Sequence, residues 1–189
     1  METPLRLIEK FDEAARAAGL EYLIIGGFAA SFWGTPRFTG DVDIAVRKSE
    51  LANAQTAAST LNYALQFLHP RSAFAHFSSP EGSGFRLDVM LVEDETWSKL
   101  RQDVVFGDLG GPITYPIVSA RHFIAMKLHS AKQEDRAEYH KDLNDIVETM
   151  LAQKIELGDL ESHGILQKHG TERTLQLLTE MLEARRRIG

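Results

Sequence analysis

The chain contains no cysteine. Disulfides are therefore excluded, as is zinc held by thiolates, and the absence suits a reducing compartment. There is no run of eighteen apolar residues, so no membrane-spanning segment is expected. The opening residues, Met-Glu-Thr-Pro-Leu-Arg, lack the basic-then-apolar build of a signal peptide. A cytoplasmic setting is the expectation. Basic residues are in the minority: 21 Lys and Arg against 27 Asp and Glu give a net charge of −6. That balance argues against a broad nucleic-acid-binding surface and leaves room for a local basic groove. No G-x-G-x-x-G follows a strand, and there is no G-x-x-x-x-G-K-[ST] loop, which removes the two commonest phosphate-binding fingerprints. His69, His76, His122, His129, His140, His163 and His169 form no H-E-x-x-H pattern, and no G-x-S-x-G elbow supports a serine hydrolase.

What is present is an ordinary globular composition, 43% hydrophobic and 25% charged over 189 residues. Thr3 and Pro4 signal the start of a helix with apolar positions Leu7, Ile8, Phe11, Ala14, Ala15 and Ala18, and Gly19 stops it. Tyr22–Ile25 reads as a buried strand, Phe28–Trp33 as a short helix ending at Gly34, Asp41–Val46 as a strand, and Ser49–Leu61 as an Ala-rich helix. Ala64–Leu68 and Ala73–Phe77 look like short strands around Pro70, and Phe85–Val92 is the clearest later strand. Segments 103–107 and 113–115 read as edge strands. From Ser119 onward the pattern is helical, over about 119–132, 136–152, 159–168 and 171–187. Strands first and helices afterwards predict an α+β fold: a core over residues 1–118 and a C-terminal helical part over 119–189.

The stretch from Gly26 to Val46 carries the chemistry. Asp41 and Asp43 are separated by one apolar residue, so on a strand they share a face about 7 Å apart. Such a pair needs a counter-charge, and hard oxygen ligands suit magnesium. Just upstream, Gly26 and Gly27 end a buried strand and lead into the short helix, where backbone N–H groups favour phosphate. Asp88 sits between Leu87 and Val89 in an otherwise apolar strand, a position poorly suited to a lone carboxylate unless a function needs it. One segment therefore offers a phosphate cradle and, next to it, a metal site.

The pattern of apolar–Gly–Gly, thirteen residues from Phe28 to Gly40, then Asp–apolar–Asp–apolar resembles the signature of the DNA polymerase β-like nucleotidyltransferase superfamily. Within it, Arg37-Phe38-Thr39-Gly40-Asp41-Val42-Asp43-Ile44 resembles the R-x-T-x-D-h-D-h form of stand-alone bacterial enzymes of the abortive-infection AbiEii type. Lys127 and Lys141-Asp142-Leu143-Asn144-Asp145-Ile146 also fit that branch. The resemblance covers roughly residues 20 to 150. It implies a small mixed sheet of the palm type and transfer of a nucleoside monophosphate from a nucleoside triphosphate to an acceptor. It implies an in-line attack assisted by two magnesium ions held by Asp41, Asp43 and Asp88, with Asp88 helping to activate the attacking hydroxyl. It also implies a toxin of a toxin–antitoxin or phage-defence pair, with RNA such as tRNA as acceptor and an antitoxin protein as partner. A small-molecule or protein acceptor, and a non-catalytic nucleotide-binding module, are the alternatives.

The remaining candidates each carry two readings. Ser31 is placed in the first turn of the short helix, where it bonds a phosphate oxygen or its own backbone. Arg37 and Thr39 flank the metal strand; Arg37 pairs with phosphate, with the carboxylates, or in a structural salt bridge. Lys127 lies among core-like neighbours and either snorkels outward or, as the resemblance implies, faces the triphosphate. Lys141 and Asp145 are i,i+4 neighbours and read as a surface pair, whereas the resemblance places Lys141 and Asp142 near the nucleotide. Arg121, Lys132 and Arg136 add positive charge to the same helical region.

Overall fold

A Thr–Pro start opens the fold as the sequence suggests. Thr3 Oγ1 accepts the Arg6 N–H at 3.2 Å, and helix α1 runs Pro4–Ala17. It ends where Gly19, at φ +64, reverses the backbone. This computed structural model describes residues 3–36, 38–68, 73–79, 84–132 and 137–188. Strand β1 (Tyr22–Ile24) leads into α2 (Gly26–Trp33), then β2 (Asp41–Arg47), a 3-10 turn at Lys48–Glu50, and α3 (Leu51–Thr60). Strands β3 (Ala64–Leu68), β4 (Phe74–Ser78) and β5 (Arg86–Val92) follow, then α4 (Asp94–Gln102), β6 (Val105–Asp108) and β7 (Thr114–Ile117). The chain closes with α5 (Ala120–Ala131), α6 (Tyr139–Gln153), α7 (Leu157–Ser162), α8 (Ile165–His169) and α9 (Glu172–Ile188).

The strands form one mixed sheet ordered β3-β4-β5-β2-β1-β7-β6. β2 and β5 are its parallel centre, with Val42 opposite Leu87, Ile44 opposite Val89 and Val46 opposite Leu91. Because side chains alternate along a strand, those six residues share one face with Ala75 and Phe77 of β4. All eight are buried. The other face of β2 and β5 carries Asp41, Asp43, Arg86 and Asp88. Helices α1 and α3 pack on each other and on β2, contributing Leu7, Ile8, Phe11, Ala15, Ala54, Ala57 and Ala58 to the core.

The chain divides into two compact units. The first comprises Met1–Ala29 and Arg37–Ser119, the second Ala30–Pro36 and Ala120–Gly189. The second is helical, with a core built from Ile124, Leu128, Leu143, Ile146, Val147, Met150, Leu178 and Leu182. Among the described residues no helix is long and apolar enough to cross a membrane.

Several local expectations shift. The short helix begins at Gly26 rather than Phe28. α4 had no sequence signal beyond Trp97 and Leu100, whose i,i+3 spacing buries both in a segment otherwise rich in charge. β7 is interior, pairing with both β1 and β6, although it was expected at an edge. The helix expected over 159–168 is two helices, parted by Gly164 at φ +67. Pro70 lies outside the described residues.

Candidate active site on the parallel strand pair

Register, more than proximity in sequence, assembles the site. Across the β2–β5 ladder Asp43 stands opposite Asp88, and Asp41 opposite Arg86. Partners in a ladder point to the same side, so three carboxylates and one guanidinium share a face. On the antiparallel side of β5, His76 stands opposite Asp88, and Phe67 of β3 is opposite His76. A single row across four strands therefore reads Phe67, His76, Asp88, Asp43.

Arg86 supplies the counter-charge. Its Nη2 donates to Asp41 Oδ2 at 2.9 Å, and its Nε lies 2.8 Å from Asp88 Oδ1 and 2.9 Å from Oδ2. Partial burial works against the guanidinium charge, but Asp88 first, then Asp41 and Asp43, hold its proton more tightly than usual. His76 Nδ1–H donates to Asp88 Oδ1 at 2.7 Å. Asp88 is thereby held by two donors in a nearly closed environment, its side chain 9% exposed, while Asp41 is 42% exposed.

Asp43 is held from the other side by the start of α2. The Gly27 N–H donates to Asp43 Oδ2 at 3.3 Å. Gly26, at φ +59, lies so near this carboxylate that a Cβ would overlap it, which explains the glycine on both conformational and steric grounds. A Cβ at Gly27 would meet Thr39 Oγ1, and that hydroxyl donates to the Asp41 carbonyl at 3.0 Å. Both glycines thus serve close approach of α2 to β2. The helix dipole directs positive potential at Asp43. Ser31 lies in the second turn of α2, because the helix starts two residues earlier than expected. Arg37 falls outside the described residues, as does Arg136.

Three carboxylates presenting hard oxygens fit a divalent cation such as magnesium in donor chemistry. With side chains placed as they are, no three acidic or imidazole groups among the described residues converge as a metal cluster, and the guanidinium of Arg86 holds two of the three carboxylates. A cation bound to Asp41 and Asp88 would compete with Arg86 for the same oxygens.

The second unit brings together another set. Lys127 Nζ lies 2.7 Å from Asp142 Oδ1 and 2.9 Å from Asp145 Oδ2. Asp142 and Asp145 are 3% and 1% exposed, so this is a buried triad joining α5 to α6. Burial opposes the ammonium charge, yet Asp142 and then Asp145 outweigh it and raise the Lys127 pKa. The expected surface pairing of Lys141 with Asp145 is not formed. Asp145 turns inward to Lys127, and Lys141 pairs with Glu138 at 3.1 Å. Only the tertiary packing of α5 on α6 decides between these partners.

Arg86 and His76 are the residues that sequence reasoning missed. Arg86 had a signal: it lies two positions before Asp88, hence on the same strand face. His76 had none, since its role depends on how β4 pairs with β5.

No protein-family model matches this chain, and no curated protein sequence does. Solved structures do share its fold. The structure of ANT(2'')-Ia in complex with adenylyl-2''-tobramycin is 14% identical, and the match spans 97% of this chain and 99% of that one with a TM-score of 0.62. A candidate nucleotidyltransferase of Thermotoga maritima is 18% identical over 75% of this chain and 92% of its own, with a TM-score of 0.54. An antigenic nucleotidyltransferase-like protein of Paracoccidioides brasiliensis is 14% identical over 92% and 91%, with a TM-score of 0.52. The chain therefore has a nucleotidyltransferase-like fold.

Proposed function

We propose that this chain transfers a nucleotidyl group from a nucleoside triphosphate to a hydroxyl acceptor, using Asp41, Asp43 and Asp88. The observation that carries this reading is the β2–β5 register, which sets Asp43 against Asp88 with Asp41 on the same face. In the reaction the acceptor oxygen attacks the α-phosphorus, the bond from that phosphorus to the β-phosphate bridging oxygen breaks, and pyrophosphate leaves. The hydroxyl proton passes to Asp88. Bound magnesium would be held by Asp41, Asp43 and Asp88 and would stabilise charge on the attacking and leaving oxygens. Gly26 and Gly27 keep the start of α2 close to Asp43. With Asp43 engaged by a cation, the Gly27 N–H that donates to it would be free to donate to phosphate.

The motif resemblance further supports nucleotide contacts for Ser31, Arg37, Thr39, Lys127, Lys141 and Asp142. It favours an RNA acceptor such as tRNA and a role as a cytoplasmic toxin of the AbiEii type held in check by an antitoxin. A second reading, a small-molecule acceptor, is favoured by the match to nearly the full length of ANT(2'')-Ia, whose complex contains adenylyl-2''-tobramycin.

The test is transfer of α-labelled nucleoside triphosphates, each in turn, to total RNA, to protein and to small hydroxyl compounds in the presence of magnesium. Label moving into one acceptor class, and not in Asp88→Asn, supports the reading and names the class. No transfer to any of them with any triphosphate overturns it.

A further inference from the structure

Asp88 is the carboxylate to which the reaction above gives the proton-accepting role, and its orientation is therefore decisive. Two groups set it. One is Arg86, half exposed on the strand surface and shared with Asp41. The other is His76, which donates from Nδ1 to Asp88 Oδ1 at 2.7 Å from the neighbouring strand. His76 is itself held: the Phe67 ring lies nearly parallel to the imidazole, 12° between planes with centroids 6.1 Å apart. Backbone register places these three in line, since Phe67 pairs with His76 and His76 with Asp88. Phe67 is a large aromatic left half exposed on an edge strand, where a polar residue is the usual choice. Its contact with the imidazole gives that exposure a use.

We propose that His76 is a positioning residue for Asp88, with Phe67 fixing the plane of its ring. Arg86 is shared with Asp41 and would compete with a bound cation for both carboxylates. His76 is not shared, and it keeps Oδ1 of Asp88 engaged through that competition. Oδ2 is then the oxygen turned to the acceptor hydroxyl. This inference rests on the nucleotidyl-transfer reading above.

The experiment compares wild type, His76→Ala, His76→Asn, Phe67→Ala and Asp88→Asn in the labelled-triphosphate assay, with kcat and KM for the triphosphate separated and each melting temperature recorded. Loss of an outer partner that orients a functional carboxylate typically costs about ten- to a hundredfold. His76→Ala should lose that much in kcat with triphosphate KM little changed. His76→Asn, whose amide nitrogen falls near the Nδ1 position, should recover most of it, and Phe67→Ala should show a smaller loss. A second measurement is independent of turnover. The Nδ1-bound proton of His76, shifted downfield by its carboxylate partner, should be seen in wild type and be absent in Asp88→Asn.

If Asp88→Asn is inactive while His76→Ala turns over like wild type, the positioning role alone is overturned. If His76→Asn is as impaired as His76→Ala, or the loss in each variant simply follows its melting temperature, His76 is structural and the proposal falls. If wild type transfers nothing, or Asp88→Asn is fully active, the nucleotidyl-transfer reading fails and takes this inference with it.

Discussion

Arg86 reaches Asp41 Oδ2 at 2.9 Å across the parallel β2–β5 ladder while its Nε sits 2.8 Å from Asp88 Oδ1. One guanidinium thus pairs with two of the three carboxylates proposed to hold magnesium, and a bound metal would compete with it for the same oxygens. Arg86→Gln should leave Asp41, Asp43 and Asp88 repelling one another. Because the Arg86 side chain is 51% exposed, the loss of stability in chelator should be modest, about 1 kcal/mol. The same change should tighten manganese binding by about fivefold, the equilibrium equivalent of that energy. Denaturant unfolding in chelator and a manganese titration check both arms. Weaker manganese binding in Arg86→Gln would assign Arg86 a supporting role and not a competing one.

The carboxylate pair on β2 makes the sharpest catalytic prediction. Replacing Asp41 and Asp43 together with Asn should reduce transfer by more than a thousandfold, on the order of 4 kcal/mol of transition-state stabilisation. The fold should persist, since the change removes repulsion on a partly exposed face. Single-turnover rates with labelled triphosphate, beside a thermal melt, measure this. Turnover near the wild-type rate would remove these residues from the site.

Lys127 Nζ contacts both Asp142 and Asp145, two carboxylates buried on α6. Lys127→Met keeps the apolar stem but removes the cation that Asp142 and Asp145 share, and breaking such a buried arrangement costs about 3–5 kcal/mol. The combined change Lys127→Met, Asp142→Asn, Asp145→Asn should restore much of that stability. The pH dependence has a definite sign. The folded pKa of Lys127 is raised, so its contribution is fully present below the ordinary lysine value of 10.5 and is lost as pH rises through the folded pKa. Chemical denaturation from pH 8 upward should therefore show an added alkaline loss that the triple variant lacks. Triphosphate titration of Lys127→Met, carried out where that variant remains folded, separates the nucleotide role from the structural one.

His169 provides the acid limb. Burial first, then Lys168, His129 and Lys132, lowers its pKa from 6.5 to about 4. Its ring meets His129 edge-on at 5.7 Å, and its Nδ1 is buried without a hydrogen-bond partner. The folded state thus prefers the neutral imidazole. Its stabilising contribution is present above pH 6.5 and declines as pH falls from 6.5 toward 4. Melting temperature followed over that range should fall more steeply in wild type than in His169→Phe. Parallel pH profiles for the two would show that His169 does not contribute.

The strand carrying Asp41 and Asp43 was legible because its information is local. Alternation in Asp41-Val42-Asp43-Ile44 decides by itself which residues share a face, and Thr3-Pro4 and Gly19 bracket α1 through backbone preferences that need no partner. The lone Asp88 among apolar neighbours was legible for the same reason. α4 was not, since Trp97 and Leu100 are too few apolar positions to declare a period.

The primary sequence by itself determined the α+β order of elements, the shared face of Asp41 and Asp43, and a glycine pair between β1 and the short helix that follows it. Tertiary structure alone decided what those carboxylates meet. Asp43 and Asp88 face one another through a parallel pairing of distant strands. His76 meets Asp88 through the register of β4 on β5. Asp145, whose local spacing suggested Lys141, turns instead to Lys127 when α6 packs on α5. The physical reason is the same in each case. A local period fixes the direction a side chain takes from its own backbone, but the charge it meets there belongs to another element, brought up by burial of the apolar face.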